Sequence, residues 1–395
     1  MESIELAILD AGGTGLLELD GARPSIAVEK GIGAGPREIT EAMRRQLGIT
    51  GMILRVAGPN TVEVEYTGTD GRPPSGSLTW RRADPEQAGA PRMWWQRPGA
   101  VNEALAAVDA ALAARGIERI GPPAQMRNIS VTSLLRVPTD RGPLWLKMAP
   151  PLFAHEAGVI DWIAGTGTVA VPRVVARGAR WWLAEAFPEE RTPASGDPLL
   201  AMATVQQASV DRTGELIARG CPDRPLRRLA GDVADLAARR DLVTAEERRR
   251  LMGVLPRFAG IVADVDALGF PQVVVHADLH PGNVLWTGET WFLFDWTDSC
   301  VTHPMVELAM PLSYDTSACS ARRAARYADR WRGWVPDQAI ATALQAAPAV
   351  GAGHLAVSYG HILRAVGHHD GSTQTSRDLL PWFRRWIDAL CVAVG

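Results

Sequence analysis

The chain has 395 residues, 47% hydrophobic and 22% charged, with a net charge of −3. That length allows two or three domains, the composition is ordinary for a globular protein, and the slight acidity argues against a dominant role in binding nucleic acid. No apolar run is expected to cross a bilayer, Met1-Glu2-Ser3-Ile4-Glu5 lacks the basic start of a signal peptide, and Cys221, Cys300, Cys319 and Cys391 lack C-x-x-C spacing, so a cytoplasmic enzyme with reduced, buried thiols and no membrane partner is expected.

Residues 1–115 read as a small α/β unit. Strands are expected at Ile4–Leu9, Leu16–Leu19, Met52–Val56 and Val62–Tyr66, and a helix at Pro36–Leu47 that Gly48 stops. Gly68–Gly76 is a loop by composition. Asn102–Arg115 is Ala-rich and helical, and Gly116–Pro123 is a linker. Asp10-Ala11-Gly12-Gly13-Thr14-Gly15 resembles the first phosphate loop of sugar kinases with the actin-like fold, but the unit is too short for that fold and a hairpin turn is the expected reading. Glu41 to Ile49 resembles the helix signature of Nudix domains; its metal-binding glutamates fall on Ala42, Arg45 and Gln46, which puts hydrolase chemistry there in doubt.

Residues 124–189 read as a small β-rich lobe. Ser133–Val137 and Leu144–Met148 form a hairpin around Asp140-Arg141-Gly142, a helix covers Ala154–Trp162, and Trp182–Phe187 is a strand. Lys30 and Lys147 are the only lysines in the chain. Arg is a planar fork and Lys a compact point charge, so a Lys retained in so Arg-biased a chain suits a phosphate contact in a tight cleft. Residues 190–395 read as a mostly helical lobe, with helices at Leu199–Arg219, Arg224–Arg240, Thr244–Leu268, Met305–Leu312, Cys319–Val335, Asp337–Ala346, Ala352–Val366 and Thr375–Val394.

The chemistry is densest between residues 276 and 298. Val273-Val274-Val275 reads as a buried strand that delivers Asp278 into a loop. His276, Asp278 and Asn283 have the spacing H-x-D-x-x-x-x-N, which in protein-kinase catalytic loops supplies a base and a metal ligand. Val284-Leu285-Trp286 and Trp291-Phe292-Leu293 flank the turn Thr287–Thr290. If Trp286 faces Trp291, Asn283 faces Phe294, and Asp295 is the next residue. Facing residues lie ~5 Å apart, and two hard oxygen ligands at that distance suit Mg²⁺. His276 is expected to hold the loop by hydrogen bonds, not to act as the base.

His276-Ala277-Asp278-Leu279-His280-Pro281-Gly282-Asn283 with Phe294-Asp295-Trp296 resembles the aminoglycoside phosphotransferase and choline kinase family, over roughly residues 125–395. The resemblance implies an α+β, protein-kinase-like bilobal fold preceded by the small α/β domain. It implies a small-molecule kinase that uses ATP or GTP and Mg²⁺ to phosphorylate a small hydroxylated substrate, with Asp278 catalytic and Asn283 and Asp295 holding the metal. Lys147 followed by Glu156 matches the kinase pair that positions the α- and β-phosphates. Ser130 lies in the stretch Asn128–Ser133 that takes the place of a phosphate-covering loop, and the backbone around Glu185–Phe187 would pair with the nucleotide base. Asp298 would bind substrate or cap the next helix. Tyr359, His361, His368, His369 and Asp370 fall where the family builds substrate pockets, and His303 and Glu307 are read as structural. Ala277 stands where many protein kinases have Arg, and Asp295-Trp296-Thr297 stands for Asp-Phe-Gly with no Ala-Pro-Glu after it; an activation loop switched by phosphorylation is not expected. The alternative is a catalytically silent kinase-like protein kept for ligand binding or regulation. Aminoglycoside-like antibiotics, sugars and amino alcohols all remain open as acceptors, and oligomeric state is unread.

Overall fold

The computed structural model describes residues 1–69, 76–83, 92–129, 131–191, 196–314, 318–367 and 374–395. Most of the expected loop Gly68–Gly76, together with Ser130 and His368-His369-Asp370, lies outside the described residues. The chain forms two compact units, the first mainly Met1–Pro151 with Val175–Ala186, the second Leu152–Val174, Phe187–Ala365 and Asp378–Gly395.

In the first unit, strands β1 (Glu2–Leu9), β2 (Gly15–Leu19), β3 (Ser25–Val28), β4 (Ile49–Gly58), β5 (Thr61–Thr69) and β6 (Leu78–Arg82) form one sheet in the order β4-β5-β1-β2-β6, with β3 also on β1. Successive side chains of a strand point to opposite faces. Accordingly Ile4, Leu6 and Ile8 enter a core shared with Ile39, Ala42 and Met43 of helix α1 (Pro36–Leu47), while Ala7 and Leu9 pack with Leu16 and Leu54 on the other face. Helix α1 has Pro at its first position and ends at Gly48, whose φ of 67° is the left-handed cap that favours glycine. The Asp10–Gly15 stretch is the β1–β2 turn, in which the Asp10 carboxylate accepts the Thr14 amide at 2.9 Å.

A second sheet is antiparallel, in the order β10-β11-β9-β8-β7, built from β7 (Ala124–Ile129), β8 (Thr132–Val137), β9 (Leu144–Met148), β10 (Val174–Arg177) and β11 (Trp181–Glu185). Helix α2 (Ala100–Ala113) buries Val101, Leu105, Val108 and Leu112 in one core with Leu135, Leu146 and Leu183 of this sheet. The two sheets are tied by Gln125, whose amide accepts from the Ile53 N–H and donates to the Ile53 carbonyl, both at 2.9 Å. Asn128 donates to the carbonyls of Ile53 and Leu54 at 2.8 and 2.9 Å. Ile129 pairs with Thr132, so Asn128–Ile129 and Thr132–Ser133 are paired residues of β7 and β8.

The second unit is mainly helical: α3 (Glu156–Ala164), α4 (Pro198–Ser209), α5 (Thr213–Ile217), α6 (Leu229–Ala238), α7 (Ala245–Asp266), α8 (Ala309–Tyr314), α9 (Ala318–Ala328), α10 (Asp337–Val366) and α11 (Gln374–Val394). Thr244 caps α7, accepting from Glu247 N–H at 3.1 Å while Glu247 accepts from Thr244 N–H at 2.7 Å. The expected helix Leu199–Arg219 is broken into α4 and α5, with Asp211 between them at φ 61°. The two helices expected between Asp337 and Val366 are instead one, running through Pro348. Its glycines serve packing: a Cβ on Gly351 would come within 2.7 Å of Ala309 Cβ, and one on Gly353 within 2.5 Å of Phe258 Cζ. Contrary to the expectation from sequence, α10 is long and apolar enough to cross a bilayer, but 67% of its most apolar window is buried inside the protein, as in a core helix. All four cysteines are free; Cys221 and Cys300 are buried, but Cys319 is exposed and Cys391 partly so.

Candidate active site

Strand β12 (Val273–Val275) is fully buried and pairs with β15 (Cys300–Thr302). It hands the chain to His276, which is anchored on three sides. Its backbone N–H donates to Glu307 Oε2 at 2.8 Å, its Nδ1 accepts the Asp278 N–H at 3.3 Å, and its Nε2 lies 3.0 Å from the Phe294 carbonyl. A nitrogen facing a carbonyl must donate, so the ring is neutral with its proton on Nε2, in agreement with burial pushing its pKa below the ordinary value. Ala277, 2% exposed, then turns through φ 63°, a region costly for a residue with a Cβ. That turn presents the half-buried Asp278 side chain away from the strand.

Asn283 closes the loop. Its Nδ2 donates to Asp278 Oδ2 at 2.9 Å and to the Asp278 carbonyl at 3.0 Å, which leaves Oδ1 as the amide's remaining acceptor. His280 was missed by the sequence reading. Its Nδ1 accepts the Gly282 N–H at 3.0 Å and its Nε2 sits 3.6 Å from Asp278 Oδ2; the contact with Asp278 raises its pKa. The signal was its place two residues after Asp278, since His276 and His303 each use Nδ1 in the same way toward the residue two ahead.

The hairpin β13 (Val284–Trp286) and β14 (Trp291–Leu293) has the expected register, Trp286 opposite Trp291. The Phe294 N–H donates to the Asn283 carbonyl at 3.1 Å, so Asn283 and Asp295 meet at the hairpin's open end. Asp295 has φ 63°, and its Oδ1 accepts the Thr297 hydroxyl at 3.0 Å. Trp296, fully buried, donates from Nε1 to the Leu293 carbonyl at 3.1 Å and packs 4.6 Å from the His276 ring. Asp298 ends the short turn Trp296–Asp298 three residues beyond Asp295.

Beneath the loop lies a buried polar chain that sequence reasoning did not assemble. Glu307, 1% exposed, receives the His276 amide and, at 3.2 Å, Gln206 Nε2. Gln206 Oε1 is 2.6 Å from the Tyr327 hydroxyl. Glu307 Oε1 has no hydrogen-bond partner among the described residues, and burial pushes its pKa up to about 7. His303, read as structural together with Glu307, is buried as well.

The other named residues fall as follows. Lys147 lies on β9 in the first unit, 8% exposed, opposite Trp182 and with its ammonium 5.9 Å from that ring's centroid. Glu185 ends β11. Glu156 opens α3 in the second unit and is fully buried. The Phe187 ring packs 5.1 Å from Phe292 and 4.9 Å from Phe294. Tyr359 is half-buried on α10, and the neighbouring His361 faces Arg224 Nη2 at 3.4 Å.

A β-rich lobe, a helical lobe and this loop define a protein-kinase-like α+β phosphotransferase. The model of the phosphotransferase enzyme family known as APH matches residues 130–344, just over half of the chain, and the chain belongs to that family. It is a small-molecule kinase by class. No curated protein matches the chain in sequence. Similar solved structures include a type I macrolide 2′-phosphotransferase, 18% identical, covering 74% of this chain and 97% of its own with a TM-score of 0.47. A choline/ethanolamine kinase family protein from Mesorhizobium loti is 18% identical and covers 74% and 99%, with a TM-score of 0.48. An ethanolamine kinase from Plasmodium vivax is 12% identical and covers 69% and 81%, with a TM-score of 0.47. The family match begins at residue 130, so the Nudix-like reading of helix α1 is left without support.

Proposed function

We propose that the protein is an ATP- and Mg²⁺-dependent O-phosphotransferase that phosphorylates a hydroxyl of a small molecule. One observation carries this reading: Asn283 holds Asp278 at 2.9 Å while the hairpin register brings Asp295 to the same end. In the proposed reaction the acceptor oxygen bonds to the γ-phosphorus as the bond to the β,γ-bridging oxygen breaks. The acceptor proton passes to the Asp278 carboxylate, and ADP leaves. Such a transfer needs positioning and charge neutralisation more than covalent help.

The residues present fit Mg²⁺. Asp295 offers a carboxylate and Asn283 an amide oxygen, both hard donors of the kind that cation takes, with phosphate and water filling the other positions. The metal's contribution is to neutralise charge on the phosphate oxygens. Lys147 is assigned to the α- and β-phosphates and Glu156 to fixing Lys147; Glu185 and Phe187 are assigned to the nucleotide base, and Asp298 and Tyr359 to the acceptor.

Asp278→Asn tests the assignment. It should leave ATP binding nearly intact and lower turnover by ~10²-fold or more, the usual contribution of a general base. Phosphate release from Mg-ATP with pools of aminoglycosides, macrolides, amino alcohols and sugars provides the readout. Turnover in the variant equal to that of the parent, or no Mg²⁺-dependent turnover in the parent, would overturn the reading.

A further inference from the structure

The hairpin β13–β14 has two faces. Val284, Trp286 and Trp291 share one, and Leu285 and Phe292 share the other. Phe187, from the segment assigned to the nucleotide base, packs on Phe292 and so lies on the second face. The tryptophan face opens into a pocket of about 550 Å³ inside the second unit, also lined by Leu279, His280, Glu190 and Arg323. His280 Nε2 is 3.6 Å from Asp278 Oδ2, so this pocket adjoins the carboxylate assigned to receive the acceptor's proton.

Size and charge narrow what it takes. A volume of that order suits a drug-sized molecule, since such sites span ~300–1,000 Å³, and it is far larger than a two- or three-carbon amino alcohol needs. Among the described residues three prolines, Pro198, Pro281 and Pro311, also line it, and they offer no side-chain hydrogen bonds to the hydroxyls of a polyol, which are costly to bury unpaired. Arg323 is held by both oxygens of Asp197 at 2.9 Å, and His280 faces Asp278. Glu190 makes no ion pair among the described residues. Among the described lining residues the carboxylate without an ion pair is therefore Glu190, beside two indole rings 5.4 Å apart, a combination that attracts a cation.

We propose that this pocket is the acceptor site and selects a large alcohol with a broad apolar face and a single amine, in preference to polycationic sugars and small amino alcohols. The inference rests on the phosphotransferase reading, and Trp286, Trp291 and Glu190 are its specificity-determining residues.

The test uses the full chain with Mg-ATP and follows transfer by mass spectrometry to a macrolide bearing one tertiary amine, to kanamycin and to choline. The macrolide should be phosphorylated with kcat/KM at least ~10-fold above the others, about what one set of apolar contacts discriminates. Trp286→Ala should raise its KM roughly tenfold and Glu190→Gln roughly fivefold, as expected for losing cation and ring contacts, with the larger change in acceptor KM than in KM for ATP. Trp286→Phe, which keeps a ring, should recover most of the loss and shows that the alanine effect is not unfolding. If kanamycin or choline is preferred and neither substitution moves its KM, the pocket assignment is overturned while the phosphotransferase reading stands. If no probe is phosphorylated, calorimetry of the macrolide against the full chain decides: binding weakened by Trp286→Ala supports the pocket, and no binding, or binding indifferent to that change, overturns it. If Asp278→Asn also leaves ATP turnover unchanged, the phosphotransferase reading itself fails.

Discussion

Glu63 and Glu307 are both buried carboxylates, one in each unit, and they are treated in opposite ways. Glu63, fully buried, is clasped by Arg55 Nε at 2.7 Å, Arg55 Nη2 at 3.0 Å and Arg92 Nη2 at 2.8 Å. Among the described residues Glu307 has no cation against it; it holds the backbone amide of His276 and a glutamine, and one of its oxygens has no partner there. Burial of a charge is costly unless it is paired. The N-terminal sheet meets that cost with two guanidinium groups, which makes Glu63 an element of stability. The helical unit leaves its acid poised near neutrality, where it anchors the segment that carries Asp278.

The comparison predicts different failures. Glu63→Ala removes the buried carboxylate that Arg55 and Arg92 share; breaking a buried pair typically costs ~3–5 kcal/mol. Denaturant unfolding should show a loss of that size, with turnover per folded molecule unchanged. A loss below about 1 kcal/mol, the range of an exposed pair, would break the contrast.

Glu307 predicts a pH signature. Its folded pKa, about 7, lies above the ordinary 4.5, so between those values the unfolded chain has released a proton that the folded chain retains. Stability contributed by this group is therefore full below about pH 4.5 and falls as pH rises toward 7. The fall is at most roughly 3 kcal/mol, given ~1.4 kcal/mol per pKa unit. Glu307→Gln keeps an oxygen for the His276 amide and should remove the fall. The same slope in the variant would show that Glu307 is ionised throughout.

The smallest expected effect concerns lysine. Lys147→Arg conserves charge but should reduce turnover by about tenfold, because a planar fork does not replace a compact ammonium at a packed phosphate contact. Lys30→Arg, on an exposed residue of the first unit, should be silent. If both are silent in steady-state kinetics, the Lys147–Glu156 assignment is withdrawn.

What was legible in the sequence was what local chemistry decides. The turn Thr287–Thr290 between apolar triplets fixed the hairpin register, and Pro36, Gly48 and Thr244 marked helix ends because their backbone preferences act within one turn. Strands β3 and β6 were missed, being short and recognisable only by the strands they join. The sequence suggested two helices where α10 is one, and its Gly351 and Gly353 are demanded by Ala309 and Phe258 on other helices. The link from Gln206 through Glu307 to the His276 amide became visible only in the fold. Gln206 and Glu307 are 101 residues apart in the chain, and no spacing rule reaches that far.

The central claim is that Asp295 and Asn283 form the metal end of a phosphoryl-transfer loop. Calorimetry of ATP binding, with and without Mg²⁺, on the parent chain and on Asp295→Ala tests it most directly. The account predicts Mg²⁺-dependent nucleotide binding in the parent and its loss in the variant, since a charged hard-cation ligand has been removed. Unchanged affinity with unchanged metal dependence would contradict it.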